Sequence, residues 1–314
     1  MSDKKLLFLF GAGASHGCDC VIPPKPPLGK DLFNHLLNDE SLRFWRDYSQ
    51  RFPDSIKEEF ELNFESAFSK LVRLYSDETY KIVMLQHLQV ELADYLFKFD
   101  IPNNFSTNNY FRLIKILQNN NLLYQSNFSS LNYDCIFEKI LVAMKIKYCN
   151  YLGNVGEIYN EKIKLFKPHG SSNYIIKRRN FDVQVASFSP AISLDFPIEA
   201  INFKTFAEIN KMEHRSNLWP IMSLYNFEKE NRICFTSLKN IRKKLDYTIH
   251  KATHIILIGV RYVENDTHIW SPINKSKGKL IYFGDDLTGF QRKKNVYIIN
   301  EHFDKSCESF MQYL

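Results

Sequence analysis

The sequence predicts an α/β protein with a Rossmann-like parallel sheet and a helical insertion after the first βα unit. Short apolar runs that end in glycine recur along the chain, at Gly11, Gly259 and Gly284. Amphipathic helical patterns separate these runs, and roughly ninety residues of helical periodicity follow the first one. Strands that alternate with helices pair in parallel, so ligand-binding residues are expected at the carboxyl ends of the strands.

The first strand is predicted at Leu6–Phe10, and the turn Gly11–Ser15 follows it. The first glycine allows a sharp turn, and the second lets the backbone approach a pyrophosphate, with free N–H groups and a helix start facing the anion. Such turns also occur without a ligand. His16 could contact a phosphate or begin the helix. The predicted cofactor contacts in the turn are Gly11, Ala12, Gly13 and Ser15.

The next segment divides the chain into two parts. Four prolines between Val21 and Gly29 exclude a helix and predict a stiff loop. Apolar residues then recur at i, i+3 and i+4 spacing up to about Leu123, which is typical of amphipathic helices. We therefore predict a catalytic domain formed by residues 1–30 and 124–314, with a helical insertion over 31–123.

Composition excludes several classes of protein. The net charge of +6 is a mild excess, and the basic run Arg242–Lys244 is interpreted as a solvated helix face, so direct nucleic-acid binding is not expected. The six cysteines include no C-x-x-C pair, so neither a structural metal nor a disulfide framework is expected. The first apolar run is too short for a signal peptide or membrane span, which favours the cytoplasm.

Three further polar segments follow predicted strands. They are Leu131–Asp134, Pro168–Ser171 and Ile258–Ile269. A strand over residues 279–283 leads to Gly284 and then Asp285, whose carboxylate could bind a ribose hydroxyl or serve in a turn. In a parallel sheet these ends share one edge, so the four polar segments are expected to form one site.

In this order the four segments resemble the sirtuin-like NAD-hydrolase branch of bacterial anti-phage defence proteins. The resemblance implies NAD⁺ as the substrate and assigns catalysis to Asn132 and His169. It places Asp134, Gly259 and Arg261 among the cofactor contacts. Two features depart from the deacylase sirtuins: their zinc ribbon is absent, and residues 21–33 have no counterpart of their conserved arginine. Arg261 replaces a common serine, and either pairs with phosphate or points outward.

The chemistry fits these residue types. Cleavage of the nicotinamide–ribose bond releases neutral nicotinamide through an oxocarbenium-like transition state, so no acid need protonate the leaving group. His169 can accept a proton near neutral pH, and Asn132 can hydrogen-bond ribose hydroxyls or water. The alternatives are a surface turn for His169 and a helix cap for Asn132 or Asp134. Asp266 and His268 match the late segment, which could equally be structural.

The leading functional prediction is an NAD⁺ glycohydrolase that forms ADP-ribose and nicotinamide and depletes NAD⁺ during anti-phage defence. The alternatives are an NAD-dependent protein deacylase and a non-catalytic NAD or ADP-ribose sensor. Uncontrolled NAD⁺ hydrolysis would harm the host, so we expect control by homo-oligomerisation or by a partner such as a HerA-type ATPase. A dehydrogenase is disfavoured, because no acidic residue ends a second strand about twenty residues after the glycine turn.

Overall fold

The computed structural model describes residues 4–75, 79–153, 163–177, 195–201, 220–224, 234–264, 266–284 and 295–314. Asp285 lies outside the described residues. So does most of the segment from Phe188 to Ile233, whose secondary structure the sequence patterns left open.

Seven parallel strands form the main sheet, in the order β3-β4-β2-β1-β7-β8-β9. Two further strands, β5 and β6, form a separate antiparallel pair. The strands are β1 Leu6–Phe10, β2 Ser126–Ser130, β3 Tyr148–Asn150, β4 Ile163–Phe166, β5 Tyr174–Ile176, β6 Ile198–Ala200, β7 His254–Ile258, β8 Lys279–Phe283 and β9 Val296–Ile299. The predicted parallel α/β fold is confirmed.

The described α-helices are α1 Ala12–His16, α2 Leu32–Asn38, α3 Arg43–Ser49, α4 Asp54–Leu62, α5 Phe64–Tyr75, α6 Thr79–Phe97, α7 Asn109–Asn119, α8 Ile136–Ala143, α9 Phe235–Lys251, α10 Thr267–Lys275 and α11 Phe303–Ser309. Helices α2 to α7 all lie between β1 and β2 in the chain. The helical periodicity of this region therefore reflects real helices. The described part of the chain contains no helix long and apolar enough to cross a bilayer.

Alternating side chains of the central strands bury on opposite faces of the sheet, as the two-residue strand period requires. On one face, Phe8 and Phe10 of β1 join a core that α7, α8 and α11 cover. On the other face, Leu7 and Leu9 pack with residues of α9 and α10. Both faces of β1 are therefore dry, which explains why its five residues are all apolar.

The helices between β1 and β2 are built around an aromatic cluster. Trp45 is fully buried against Phe33, Phe60 and Phe64. The Glu91 carboxylate on α6 accepts the N–H groups of Phe44 and Trp45 at 3.0 Å, where α3 begins. This aromatic cluster is continuous with the core on the Phe8 face, so the helical segment packs directly onto the sheet.

Candidate functional site

The four polar segments follow four strands that are neighbours in the sheet, β4, β2, β1 and β7. Because these strands are parallel, their carboxyl ends lie at one edge of the sheet. The chain reverses its strand order at β1, which has β2 on one side and β7 on the other. In open α/β sheets such a reversal opens a crevice in which ligands bind.

Backbone contacts between glycines join the ends of β1 and β7. A Cβ on Gly11 would lie 2.4 Å from the Gly259 carbonyl oxygen, and one on Gly259 would lie 2.1 Å from the Ala14 nitrogen. Gly259 also has a φ of +62°, in the left-handed region that favours glycine. Both turns therefore need glycine in order to pack against each other.

This arrangement differs from the expected phosphate turn. The Gly11 N–H donates to the Ile258 carbonyl at 3.1 Å, and the Gly13 N–H donates to the Gly259 carbonyl at 3.0 Å. The Ala14 N–H donates to the Gly11 carbonyl at 2.9 Å. The expectation that the turn presents these amides free to an anion is therefore wrong, since all three already have backbone acceptors.

Asn132 lies just beyond the end of β2 and is buried. Its Nδ2 donates to the Gly11 carbonyl at 2.9 Å and to Ser15 Oγ at 3.0 Å. The Gly11 oxygen can only accept, so the amide nitrogen must face it. With both N–H groups used, Oδ1 is the atom through which Asn132 would accept a hydrogen bond from a ribose hydroxyl or water. A helix-capping role for Asn132 is not observed.

Helix α7 reaches the same place from the region between β1 and β2. The Tyr110 hydroxyl lies 3.2 Å from Ser15 Oγ, and burial raises the pKa of Tyr110 well above its ordinary value. The side chains of Asn108 and Asn109 donate to the carbonyls of Asp19 and Gly17, just after α1. The sequence gives no sign of these contacts, because Asn108, Asn109 and Tyr110 belong to an ordinary helical pattern.

Hydrogen bonds hold the segment after β2 against the segment after β4. The Ser172 N–H donates to the Tyr133 carbonyl at 2.9 Å, and Lys167 Nζ donates to the Asp134 carbonyl at 2.5 Å. Lys167 Nζ also pairs with the Glu138 carboxylate at 2.8 Å, where both side chains are buried. The segments that carry Asn132 and His169 are thus fixed side by side.

His169 lies in the turn after β4 and is only 2% exposed. Its Nε2 is 3.1 Å from Nε2 of His268 and 3.7 Å from Oδ1 of Asp266. Asp266 directly precedes α10 and is also buried, whereas His268 is half-buried in the first turn of that helix. The structure therefore brings the segments after β4 and β7 together through these three side chains.

The segment around His169 is anchored on both sides. The Ser223 N–H donates to the His169 carbonyl at 2.8 Å, and Nε of Arg242 donates to the Pro168 carbonyl at 2.9 Å. Arg242 is half-buried on α9, so its interpretation as part of a solvated helix face is wrong. Its basic neighbours in the sequence gave no signal that this one arginine turns toward the site.

The remaining predicted residues are distributed as follows. Oδ1 of Asp134 accepts the Ile136 N–H at 3.1 Å, at the start of α8. Arg261 is exposed. Nδ1 of His16 lies 2.8 Å from the Pro26 carbonyl, and His16 ends α1 rather than beginning it. Asn132 is therefore hydrogen-bonded to Gly11 and Ser15, and Gly13 is hydrogen-bonded to Gly259, which also packs against Gly11. Ala12 is exposed.

Comparison with solved structures relates the fold to the sirtuins. The chain is similar to a Sir2 variant bound to a deacetylated peptide and 3'-O-acetyl-ADP-ribose, at 11% identity and a TM-score of 0.50, over 98% of this chain and 93% of that chain. A Sir2 bound to an acetylated peptide is similar at 11% identity and a TM-score of 0.48, over 98% and 92%. No family model and no curated protein matches the sequence.

The class that these observations define is a sirtuin-like Rossmann fold. The parallel seven-stranded sheet with helices on both faces is the architecture of that fold. At such low identity the likeness concerns the fold alone, and the chemistry must be argued from the site itself.

Proposed function

We propose that the protein binds NAD⁺ in the crevice at the carboxyl ends of β1, β2, β4 and β7 and hydrolyses its nicotinamide–ribose bond, releasing ADP-ribose and nicotinamide. The observation that carries the proposal is the placement of Asn132 and His169. Both are buried at the ends of neighbouring strands, on segments that hydrogen bonds hold together.

The two side chains suit the reaction because its leaving group departs uncharged. The protein need only bind the ribose and position or deprotonate the nucleophile. Asn132 has its amide hydrogens committed to Gly11 and Ser15, so it offers a fixed acceptor oxygen. His169 supplies an imidazole that can accept the proton of water or a ribose hydroxyl.

Residues near the glycine turn are proposed to contact the cofactor through side chains and packing more than through free amides. In this proposal Gly11, Gly13 and Gly259 shape the floor of the crevice. Ser15 and Asn132 face the ribose. The exposed Arg261 is the cation nearest in sequence to Gly259, and it is proposed to pair with the pyrophosphate. The other proposed cofactor contacts are Ala12, Asp134 and Asp285.

Deacylation of a lysine side chain is the second candidate, because the Sir2 structures similar in fold include peptide complexes. Such an enzyme needs a groove for the acyl-lysine beside the NAD⁺ crevice. The sequence has no C-x-x-C pairs from which the sirtuin zinc ribbon would be built. This difference favours water over an acyl-lysine as the nucleophile.

The biological setting is also part of the proposal. The motif order resembles proteins of anti-phage defence, so the protein is proposed to deplete NAD⁺ on infection. Control would come from homo-oligomerisation or from a partner such as a HerA-type ATPase. Either form of control predicts that turnover per molecule rises with protein concentration or on addition of that partner.

Purified protein incubated with NAD⁺ tests the reaction, with nicotinamide and ADP-ribose measured by chromatography. His169→Ala and Asn132→Ala should each lower turnover by about 10²–10⁴-fold, since each removes a group that acts in proton transfer or orientation. His250→Ala is the matched control, because His250 is exposed on α9 and pairs with Asp246.

Each competing function gives a different result. If the purified protein released nicotinamide only when an acetylated peptide was also present, deacylation would be established. Tight NAD⁺ binding without turnover at any protein concentration would establish a sensor. Full activity in both His169→Ala and Asn132→Ala would contradict the proposed site.

A further inference from the structure

We propose that His169, Asp266 and His268 form a binding site for a divalent transition metal of the Zn²⁺ type, which competes with the proton-accepting role of His169. The inhibitory part rests on the proposed NAD⁺ hydrolysis, whereas metal binding itself does not. The proposal departs from the expectation of no metal, which considered only the spacing of cysteines.

The first argument is the distance between the ligand atoms. One nitrogen from each imidazole and one carboxylate oxygen lie within 4.8 Å of one another. Two imidazole nitrogens on a tetrahedral zinc lie about 3.3 Å apart, given bonds of about 2.0–2.1 Å. The observed Nε2–Nε2 distance is 3.1 Å and the Nε2–Oδ1 distance is 3.7 Å, so a zinc ion requires only small side-chain shifts.

The second argument is the chemistry of the three ligands. Two neutral imidazoles and one carboxylate form a donor set that binds zinc in catalytic and regulatory sites and leaves a fourth position open. Mg²⁺ prefers oxygen ligands, so it is expected to bind weakly to a site with two imidazole nitrogens.

The third argument is that the backbone already fixes all three residues. The Asp266 carbonyl accepts the N–H groups of Ile269 and Trp270 at 2.9 and 3.0 Å, which locks the start of α10, where His268 also lies. The turn that carries His169 is held through its own carbonyl and that of Pro168. Because metal affinity depends on preorganised ligands, this rigidity favours binding.

Metal binding would affect catalysis through the lone pair on Nε2 of His169. Nε2 of His169 faces both Asp266 and His268, so this nitrogen would bind the metal. A nitrogen that donates its lone pair to zinc cannot accept a proton. The metal-loaded protein is therefore inactive toward NAD⁺, and removal of the metal by a chelator restores the base.

Titration of chelator-treated protein with Zn²⁺, against a chromophoric zinc indicator, measures binding without any NAD⁺. The expected stoichiometry is one ion per chain. Co²⁺ serves as a spectroscopic probe, with a visible absorption of tetrahedral type. An excess of Mg²⁺ should not displace the zinc. Even an outer-shell residue contributes about 10–100-fold to affinity, so Asp266→Asn and His268→Gln should each weaken zinc binding by at least about 100-fold.

Two controls match the ligand variants. His250→Gln removes an exposed histidine whose Nδ1 lies 3.0 Å from Asp246. Among the described residues it has no third ligand of this kind, so the zinc affinity of the variant should equal that of the wild type. Cys20→Ser removes a half-exposed thiol that could bind zinc by itself. Thermal melts confirm that each variant folds.

The outcomes separate this proposal from the proposed function. Zinc binding that survives both ligand variants, or that disappears in Cys20→Ser, overturns the metal site. So does an absence of binding in the wild type. Zinc binding that needs His268 and Asp266 in a protein without NAD⁺ turnover supports the metal site and rejects the hydrolase. Turnover that zinc does not inhibit, despite stoichiometric binding, overturns the competition.

Discussion

Lys167 and His169 lie on either side of Pro168, and each belongs to a buried polar group. The first group is an ion pair, whereas the second is a cluster of imidazoles and a carboxylate. Lys167 Nζ pairs with Glu138 at 2.8 Å and also donates to the Asp134 carbonyl. His169 instead meets a second imidazole and a carboxylate across the crevice. The first group ties β4 to the segment after β2, and the second group reaches the segment after β7.

The difference shows how one short turn can serve both structure and chemistry. The Lys167–Glu138 pair neutralises its own charges. Burial lowers the pKa of the Lys167 ammonium, but Glu138 and Cys135 raise it more, so its pKa lies above the ordinary value. The His169 group instead combines a carboxylate with two imidazoles, whose oxygen and nitrogen atoms can accept hydrogen bonds or bind a metal ion. We therefore expect changes at Lys167 to affect folding, and changes at His169 to affect function.

The largest expected effect on stability comes from Lys167→Met. It leaves the Glu138 carboxylate buried, only 2% exposed, without its cation. The loss of one partner of a buried ion pair lowers the free energy of unfolding by about 3–5 kcal/mol. Urea denaturation followed by circular dichroism measures this change.

The double variant Lys167→Met/Glu138→Leu is the matched control, since it removes both charges together. It should recover much of the lost stability, because no unpaired charge stays buried. His169→Ala should change the unfolding free energy far less than Lys167→Met does. If His169→Ala were the more destabilising of the two, the contrast between the two groups would be refuted.

The second prediction addresses the glycine contact that holds the β7 segment in place. Gly259→Ala forces a Cβ to within 2.1 Å of the Ala14 nitrogen at a positive φ. We expect a loss of about 2–4 kcal/mol in unfolding free energy, from left-handed strain and overpacking. The segment that carries Asp266 and His268 follows Gly259, so NAD⁺ turnover and zinc affinity should fall as well.

Gly29→Ala provides the control for this change. Apart from Gly29 itself and its two chain neighbours, no heavy atom lies within 4 Å of the Cβ it would introduce, and its φ is not in the positive range. Its stability and turnover should match the wild type. A Gly259→Ala protein that kept wild-type stability and turnover would show that the β1–β7 contact does not position the site.

The glycines illustrate how far the sequence could predict this site. The apolar runs before Gly11 and Gly259 correctly predict strands that end in tight turns. Their direct contact depends on β1 and β7 being neighbours, although about 240 residues separate them. Strand order is a tertiary property, so the sequence predicted a phosphate-facing turn where the structure has the Gly11 and Gly13 amides bonded to the carbonyls of Ile258 and Gly259.

Other residues of the site carried a weaker signal. Asn132 and His169 follow strand-like segments, and the motif order alone pointed to them. Tyr110 and Arg242 lie in ordinary helical patterns, and their roles depend on which face of α7 or α9 meets the site. A buried Lys167–Glu138 pair is similarly invisible, because residues 29 positions apart share no local periodicity.

The smallest expected effect comes from a partly exposed ion pair, which serves as the reference for both buried groups. Lys98 pairs with Asp39, whose side chain also accepts hydrogen bonds from Ser41. Burial raises the pKa of the Asp39 carboxyl, but the bonds from Lys98 and Ser41 lower it more, so its pKa lies below the ordinary value. A lowered folded-state pKa stabilises the protein above the unfolded pKa of 3.8, and this contribution is lost as the pH falls through the folded value.

Asp39→Asn should therefore lower the free energy of unfolding by at most about 1 kcal/mol at neutral pH, because solvent screens partly exposed pairs. Urea denaturation at decreasing pH should show the difference from wild type shrinking below about pH 4. A cost as large as that of Lys167→Met would mean that burial does not distinguish the two pairs.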